Sequence, residues 1–103
     1  VNHEAFQNLD KVIHEKGRMA IMSLLAVTSE ISFTDMRNDL GMTDGNLTTH
    51  IKHLQKAGYV GVTKSFRGKR PLTTLSLTTD GRTAFTTYID TLEQIVQSAR
   101  SGN

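Results

Sequence analysis

Cysteine is absent from this 103-residue sequence, and its absence excludes disulfide cross-links, thiolate metal sites and cysteine nucleophiles together. Tryptophan is absent too, and four Phe and two Tyr leave a core built mainly from aliphatic side chains. No stretch approaches the roughly 18 uninterrupted apolar residues that span a bilayer. The opening residues VNHEAFQNLD have neither the basic nor the apolar region of a secretory signal. A cytoplasmic protein without membrane association is therefore expected. What is there suffices for one core: 37% hydrophobic and 21% charged residues are the composition of an ordinary folded chain, and the length predicts a single domain over residues 1–103.

The net charge of +2 hides an uneven distribution. Residues 45–82 hold seven bases (Lys52, Lys56, Lys64, Arg67, Lys69, Arg70, Arg82) against the single acid Asp80, while the rest of the chain holds five bases and nine acids. A segment at +6 beside segments at −4 suits a polyanion-binding face, because each cation set on a phosphate releases condensed counterion. A solvated charged surface gives a similar count, so the pattern of elements has to decide.

Phe6, Leu9, Val12 and Ile13 recur at helical spacing and predict an amphipathic helix over residues 4–15. Gly17 is expected to interrupt it before a more apolar stretch over residues 18–27, a second helix or a continuation after a kink, so that residues 3–27 form an N-terminal helical segment. Residues 28–32 have room only for a short edge strand or turn. Phe33, Met36 and Leu40 mark a helix over residues 33–40, stopped by Gly41. Thr43 or Asp44 then caps a further helix along Leu47, Ile51 and Leu54, which Gly58 ends. Two short helices joined around a glycine make residues 33–58 a helix-turn-helix. From Tyr59 the period changes to that of strands. Residues 59–66 and 72–78 are rich in β-branched side chains, and the basic segment RGKRP at 67–71 separates them, which predicts a β-hairpin over 59–78 with a basic tip. A last helix over residues 80–99, capped by Thr79 or Asp80, carries Phe85, Tyr88, Ile89, Leu92, Ile95, Val96 and Ala99. The fold class expected is mainly α with a small β-hairpin wing.

In a helix-turn-helix the second helix enters the major groove, so the residues near base edges should be small or hydrogen-bonding. Gly45, Asn46, Thr48 and Thr49 satisfy this, and Asn46 is suited to bidentate pairing with adenine. Lys52, His53 and Lys56 stand where phosphates are within reach. At the hairpin tip Arg67, Lys69 and Arg70 suit the adjacent minor groove or its phosphates. The competing reading of that tip is a basic loop that guards an edge strand from aggregation. His50 and His53 share a helix face, but two histidines without Cys or a neighbouring acid make half a metal site, and neither metal nor cofactor is expected. Asp10, His14 and Glu15 lack a nucleophile or phosphate loop to complete a catalytic set, so no enzyme is expected.

The run FTDMRNDLGMTDGNLTTHIKHLQKAGYV, followed by KSFRGKRPLTTLSLTTDGRTAF, resembles winged helix-turn-helix regulators of the MarR/ArsR kind. The resemblance rests on Gly45-Asn46-Leu47, on HIKHL at 50–54, on Ala57-Gly58-Tyr59-Val60 and on the Lys69-Arg70-Pro71 tip. It implies a transcriptional regulator, expected to be a repressor, bound to double-stranded DNA as a homodimer. It also implies that His50 is partly buried and bonded to backbone. Regulators of this kind often carry Arg where this sequence has Thr49, which implies less direct reading of guanine. The expected dimer interface joins Phe6, Leu9, Val12 and Ile13 to Tyr88, Leu92, Ile95 and Val96 of the same or the neighbouring subunit. A rival reading keeps the fold but docks the basic wing on an acidic protein partner. The sequence identifies no small-molecule effector.

Overall fold

The computed structural model describes residues 3–102. Five helices and three strands follow in the order α1 (His3–Asn8), α2 (Lys16–Val27), β1 (Ile31–Ser32), α3 (Phe33–Leu40), α4 (Asp44–Lys56), β2 (Val60–Arg67), β3 (Arg70–Leu77) and α5 (Thr79–Ser101). The strands form one antiparallel sheet in the order β1-β3-β2. Helices dominate, and the small sheet is a hairpin with a two-residue strand on its far edge, as the expected fold class has it.

The expected first helix over residues 4–15 is cut short at Asn8. The cause is Asp10, whose Oδ1 accepts hydrogen bonds from the backbone N–H groups of Val12 and Ile13 and holds the chain in a turn. The second helix starts at Lys16, earlier than expected, because the Glu15 side chain accepts the Arg18 N–H and caps it. Gly17 thus lies inside α2. A Cβ there would come within 2.6 Å of His50 Nε2, so this glycine lets α2 approach α4 closely.

Gly41 ends α3 in the left-handed region at φ 64°, with its N–H and that of Met42 returned to the carbonyls of Asn38 and Arg37. Two residues later Thr43 caps α4 by accepting the Asn46 N–H. Met36 on α3 and Leu47, Ile51 and Leu54 on α4 are buried with Ile21, Met22 and Leu25 of α2. The hairpin adds Val60 and Leu75 to this core.

The hairpin turns on Gly68 and Lys69 alone, so Arg70 and Pro71, expected in the loop, belong to β3. Pro71 is tolerated there because the Arg67/Arg70 pair closes the two-residue loop. The next pair, Phe66/Pro71, is then one whose N–H groups point away from each other, and no ladder bond needs the missing donor. The last helix is capped by Thr78, in place of the expected Thr79 or Asp80. Its hydroxyl accepts the Gly81 N–H and donates to the Gly58 carbonyl.

Candidate nucleic-acid interface

With Leu47, Ile51 and Leu54 turned inward, α4 presents Gly45, Thr48, Thr49, Lys52, His53 and Lys56 to solvent, all of them exposed. Nothing covers this face among the described residues. Thr49 Oγ1 donates to the Gly45 carbonyl at 2.9 Å, a bond within the helix that a competing acceptor can replace. Asn46 is exposed but lies on the α2 side of the helix, in a recess it shares with Glu15, Gly17 and His50. Thr48, Lys52 and Gln55 lie on the other side, where they line a groove of about 330 Å³ with Phe33, Val62, Lys64, Thr73 and Leu75.

That groove joins α4 to the hairpin, and Lys64 stands in it. The sequence reading counted Lys64 among the bases but did not place it at the site. The signal was available: Val60 and Val62 face the core, and strand alternation sends Lys64 to the same face, one step past the core and beside α4. Farther out, Arg67, Lys69 and Arg70 are exposed at the hairpin tip. Arg67 and Arg70 sit directly opposite each other, and like charges so placed destabilise a strand pair unless an anion lies between or beside them.

The turn before α4 is fixed from α3. Arg37 Nη1 donates to Asp44 Oδ1 at 2.7 Å, tying the last turn of α3 to the first of α4. Exposed, the pair contributes little energy, about 0–1 kcal/mol, but it occupies the one carboxylate at the start of α4. At the far end of α4, Tyr59 donates its hydroxyl to Asp10 Oδ2. That hydrogen bond, burial, and the charges of Asp10 and Asp80 push the Tyr59 phenol up to about 12.

His50 is half-buried, as expected, but no backbone group meets its Nδ1; that atom is buried without a hydrogen bond, 3.6 Å from Glu15 Oε1. The Arg18 backbone N–H holds the Glu15 carboxyl below its ordinary range against the opposing effect of burial, helped by the Gly17 N–H and the nearby His50 and Arg18 side chains. His14 is exposed in the turn before α2, its Nδ1 2.8 Å from the Tyr88 hydroxyl. Among the described residues no group of three or more His, Cys, Asp or Glu is placed to hold a metal ion.

A polar helix face, a basic hairpin beside it and a tight helix-helix turn behind them coincide with a known family, the winged helix DNA-binding domain, whose model matches residues 18–96. The chain belongs to that family. Uncharacterized protein MJ0432 of Methanocaldococcus jannaschii is 34% identical over 85 residues, which cover 82% of this chain and 92% of that protein. The transcriptional regulator homologue of Pyrococcus horikoshii OT3 superposes with a TM-score of 0.87 at 24% identity, covering 93% of this chain and 97% of that one. A MarR-family putative regulator from Porphyromonas gingivalis W83 superposes with a TM-score of 0.68 at 15% identity, covering 97% and 94%. The family is that of a DNA-binding domain, and the fold is shared with these two regulators. In winged-helix terms α4 is the recognition helix and β2-β3 the wing. No helix among the described residues is long and apolar enough to cross a membrane.

Of the residues expected at a dimer interface, Leu9, Ile13 and Tyr88 are buried in the chain's own core, and Val12, Leu92 and Ile95 are half-buried against it. Phe6 and Val96 remain exposed, at 52% and 46%, and Ile89 joins them at 42%.

Proposed function

We propose that this winged helix is a sequence-specific transcriptional repressor that binds double-stranded DNA as a homodimer. The recognition helix enters the major groove, and the wing lies on the adjacent minor groove and its phosphates. The observation that carries the reading is the continuity of one surface. The outward face of α4 (Gly45, Thr48, Thr49, Lys52, His53, Lys56) runs through the Lys64 groove to Arg67, Lys69 and Arg70; none of these residues is an acid, and the one carboxylate that shares a recess with Arg67 and Arg70 is Asp35 of α3. Thr48 and Thr49 supply hydrogen-bonding groups at the height of base edges, and the lysines flank them at the height of phosphates. Asn46, on the α2 side, serves the rim of the contact and is the base reader only if the duplex extends over that recess.

Fluorescence anisotropy of a labelled mixed-sequence duplex tests this. Between about 50 and 200 mM salt, several phosphate contacts should weaken binding on the order of a hundredfold or more. Lys69→Ala/Arg70→Ala should flatten that dependence. Absence of binding at 50 mM salt would turn attention to an acidic protein partner for the same surface. Selection from a random library would then give the operator, and transcription from a promoter carrying it would distinguish repression from activation.

A further inference from the structure

The wing outruns the core that it grows from, and what it carries past that point is not all charge. Val60 and Leu77, then Val62 and Leu75, face each other on the core side of the hairpin. The next pair on that face, Lys64 and Thr73, lines the groove beside α4, and the pair after it is Phe66 and Pro71. With two residues per step, that last pair lies about 7 Å beyond the groove. Phe66 is 72% exposed and Pro71 is exposed with it. Every other side chain from Thr63 to Arg70 is polar or charged, four of them (Lys64, Arg67, Lys69 and Arg70) cationic within four residues of the phenyl ring. The remaining large exposed apolar side chains, Phe6, Val27, Ile89 and Val96, lie on α1, α2 and α5.

We infer that Phe66, paired across the hairpin with Pro71, is an apolar wedge for the DNA groove that the wing enters. It would pack on deoxyribose edges and into a base step while Arg67, Lys69 and Arg70 take the phosphates around it. The inference deepens the DNA-binding reading and rests on it. The choice of occupant follows from charge. A ring of three cations with no acid in β2, β3 or their turn opposes docking of a second copy through the same tip and favours a polyanion. Duplex DNA offers apolar deoxyribose surface between its phosphates, and a bulky apolar side chain set into its minor groove unstacks a step and bends the helix. A basic tip alone would bind in proportion to the phosphates it neutralises. A ring at its centre adds a salt-independent component, largest at pyrimidine–purine steps, which open most easily.

Salt dependence separates the two components. Phe66→Ala should weaken duplex binding about tenfold or more at every salt concentration and leave the slope against salt unchanged, since no phosphate contact is lost. Lys69→Ala/Arg70→Ala should do the reverse and flatten the slope. Phe66→Trp should keep the affinity. Because the chain has no tryptophan of its own, the emission of that variant reports position 66 alone, and it should be quenched when duplex is added. With position 66 so exposed, all three variants should unfold at the wild-type temperature. Failure of the wild type to bind at 50 mM salt would sink the DNA reading itself. Wild-type binding with Phe66→Ala within twofold of it, or with the Phe66→Trp emission unchanged by duplex, would overturn the wedge and leave that reading intact. So would a Phe66→Ala variant whose only change is a lower oligomeric state.

Discussion

Gly81 shows how closely the last helix is set on the helix-turn-helix. Its backbone angle is one that any residue adopts, but a Cβ at this position would lie 2.0 Å from the Tyr59 carbonyl oxygen and 2.8 Å from the carbon that bears it. The neighbour is backbone, which no rotamer change can remove. The same carbonyl accepts the Thr78 N–H at 3.0 Å, and the Thr78 hydroxyl bonds to Gly58 next to it. The end of α4 and the start of α5 are therefore one joint, and the Tyr59–Asp10 hydrogen bond braces it from the N-terminal turn. Gly81→Ala must push α5 away and strain these bonds. The expected cost is about 3 kcal/mol, a fall in Tm of roughly 15 °C in a chain of this size. Gly45→Ala is the matched control: no atom lies within 4 Å of a Cβ there, and the exposed helix should gain up to about 1 kcal/mol. Thermal unfolding of the two variants checks both signs, and a Gly81→Ala protein as stable as wild type would mean that the joint is looser than its geometry.

At the scale of elements, a single carboxylate starts α2 and faces the recognition helix. Glu15 accepts the Arg18 N–H at 2.8 Å and stands 3.6 Å from His50 of α4, across the gap that Gly17 leaves open. These contacts hold its carboxyl below the ordinary value of 4.5 in the folded chain. Stability linked to Glu15 is therefore complete above pH 4.5 and is lost as pH falls through the lower folded value. Glu15→Gln keeps an oxygen to cap α2 but has no charge to lose. Its Tm at pH 6 should lie below that of wild type, and the gap should narrow toward pH 3; a constant gap would show that the charge contributes nothing. This cap also marks where the sequence was legible. Gly41, the apolar period of α4 and the switch to β-branched residues at Tyr59 are local signals with local causes, so α3, the turn, α4 and the hairpin follow from them directly. The break after Asn8 does not, because apolar spacing continues through Val12 and Ile13 while the Asp10 side chain takes their N–H groups. The outward face of α4 was readable for the same reason as its core face, both being set by one helical period. For Lys64 and Phe66 strand alternation gives the face, the same one as Val60 and Val62, but not what lies opposite it, since the point at which the core stops along the strands is set by α4.

The whole molecule measures 57 × 26 × 21 Å, and one copy offers a single 13-residue recognition helix about 20 Å long. In the proposed complex one such helix would occupy one major-groove segment. Two copies related by a two-fold axis would occupy successive segments 34–36 Å apart on the same face of the duplex, which is how small regulators gain both affinity and specificity. Helices α1 and α5 pack on each other and carry the exposed apolar residues that such a pairing needs: Phe6 on one, with Ile89 and Val96 seven residues apart on the other. The 23-residue α5, about 35 Å long, is buried at Gly81, Phe85 and Tyr88 but half-buried or exposed from Ile89 onward. Its outer half is thus available to a partner, and a stable dimer requires about 800 Å² from each copy. Sedimentation at micromolar concentration should therefore show a species of twice 11.4 kDa. Phe6→Asp/Val96→Asp places charge where the copies would meet and spares the buried Leu9, Ile13 and Tyr88, so the variant should fold as a monomer. On a duplex with two half-sites one helical turn apart it should bind at least tenfold more weakly than wild type, whereas on a single half-site the two should be equal. A wild-type protein that sediments at 11.4 kDa and binds both duplexes alike would show that one winged helix acts alone.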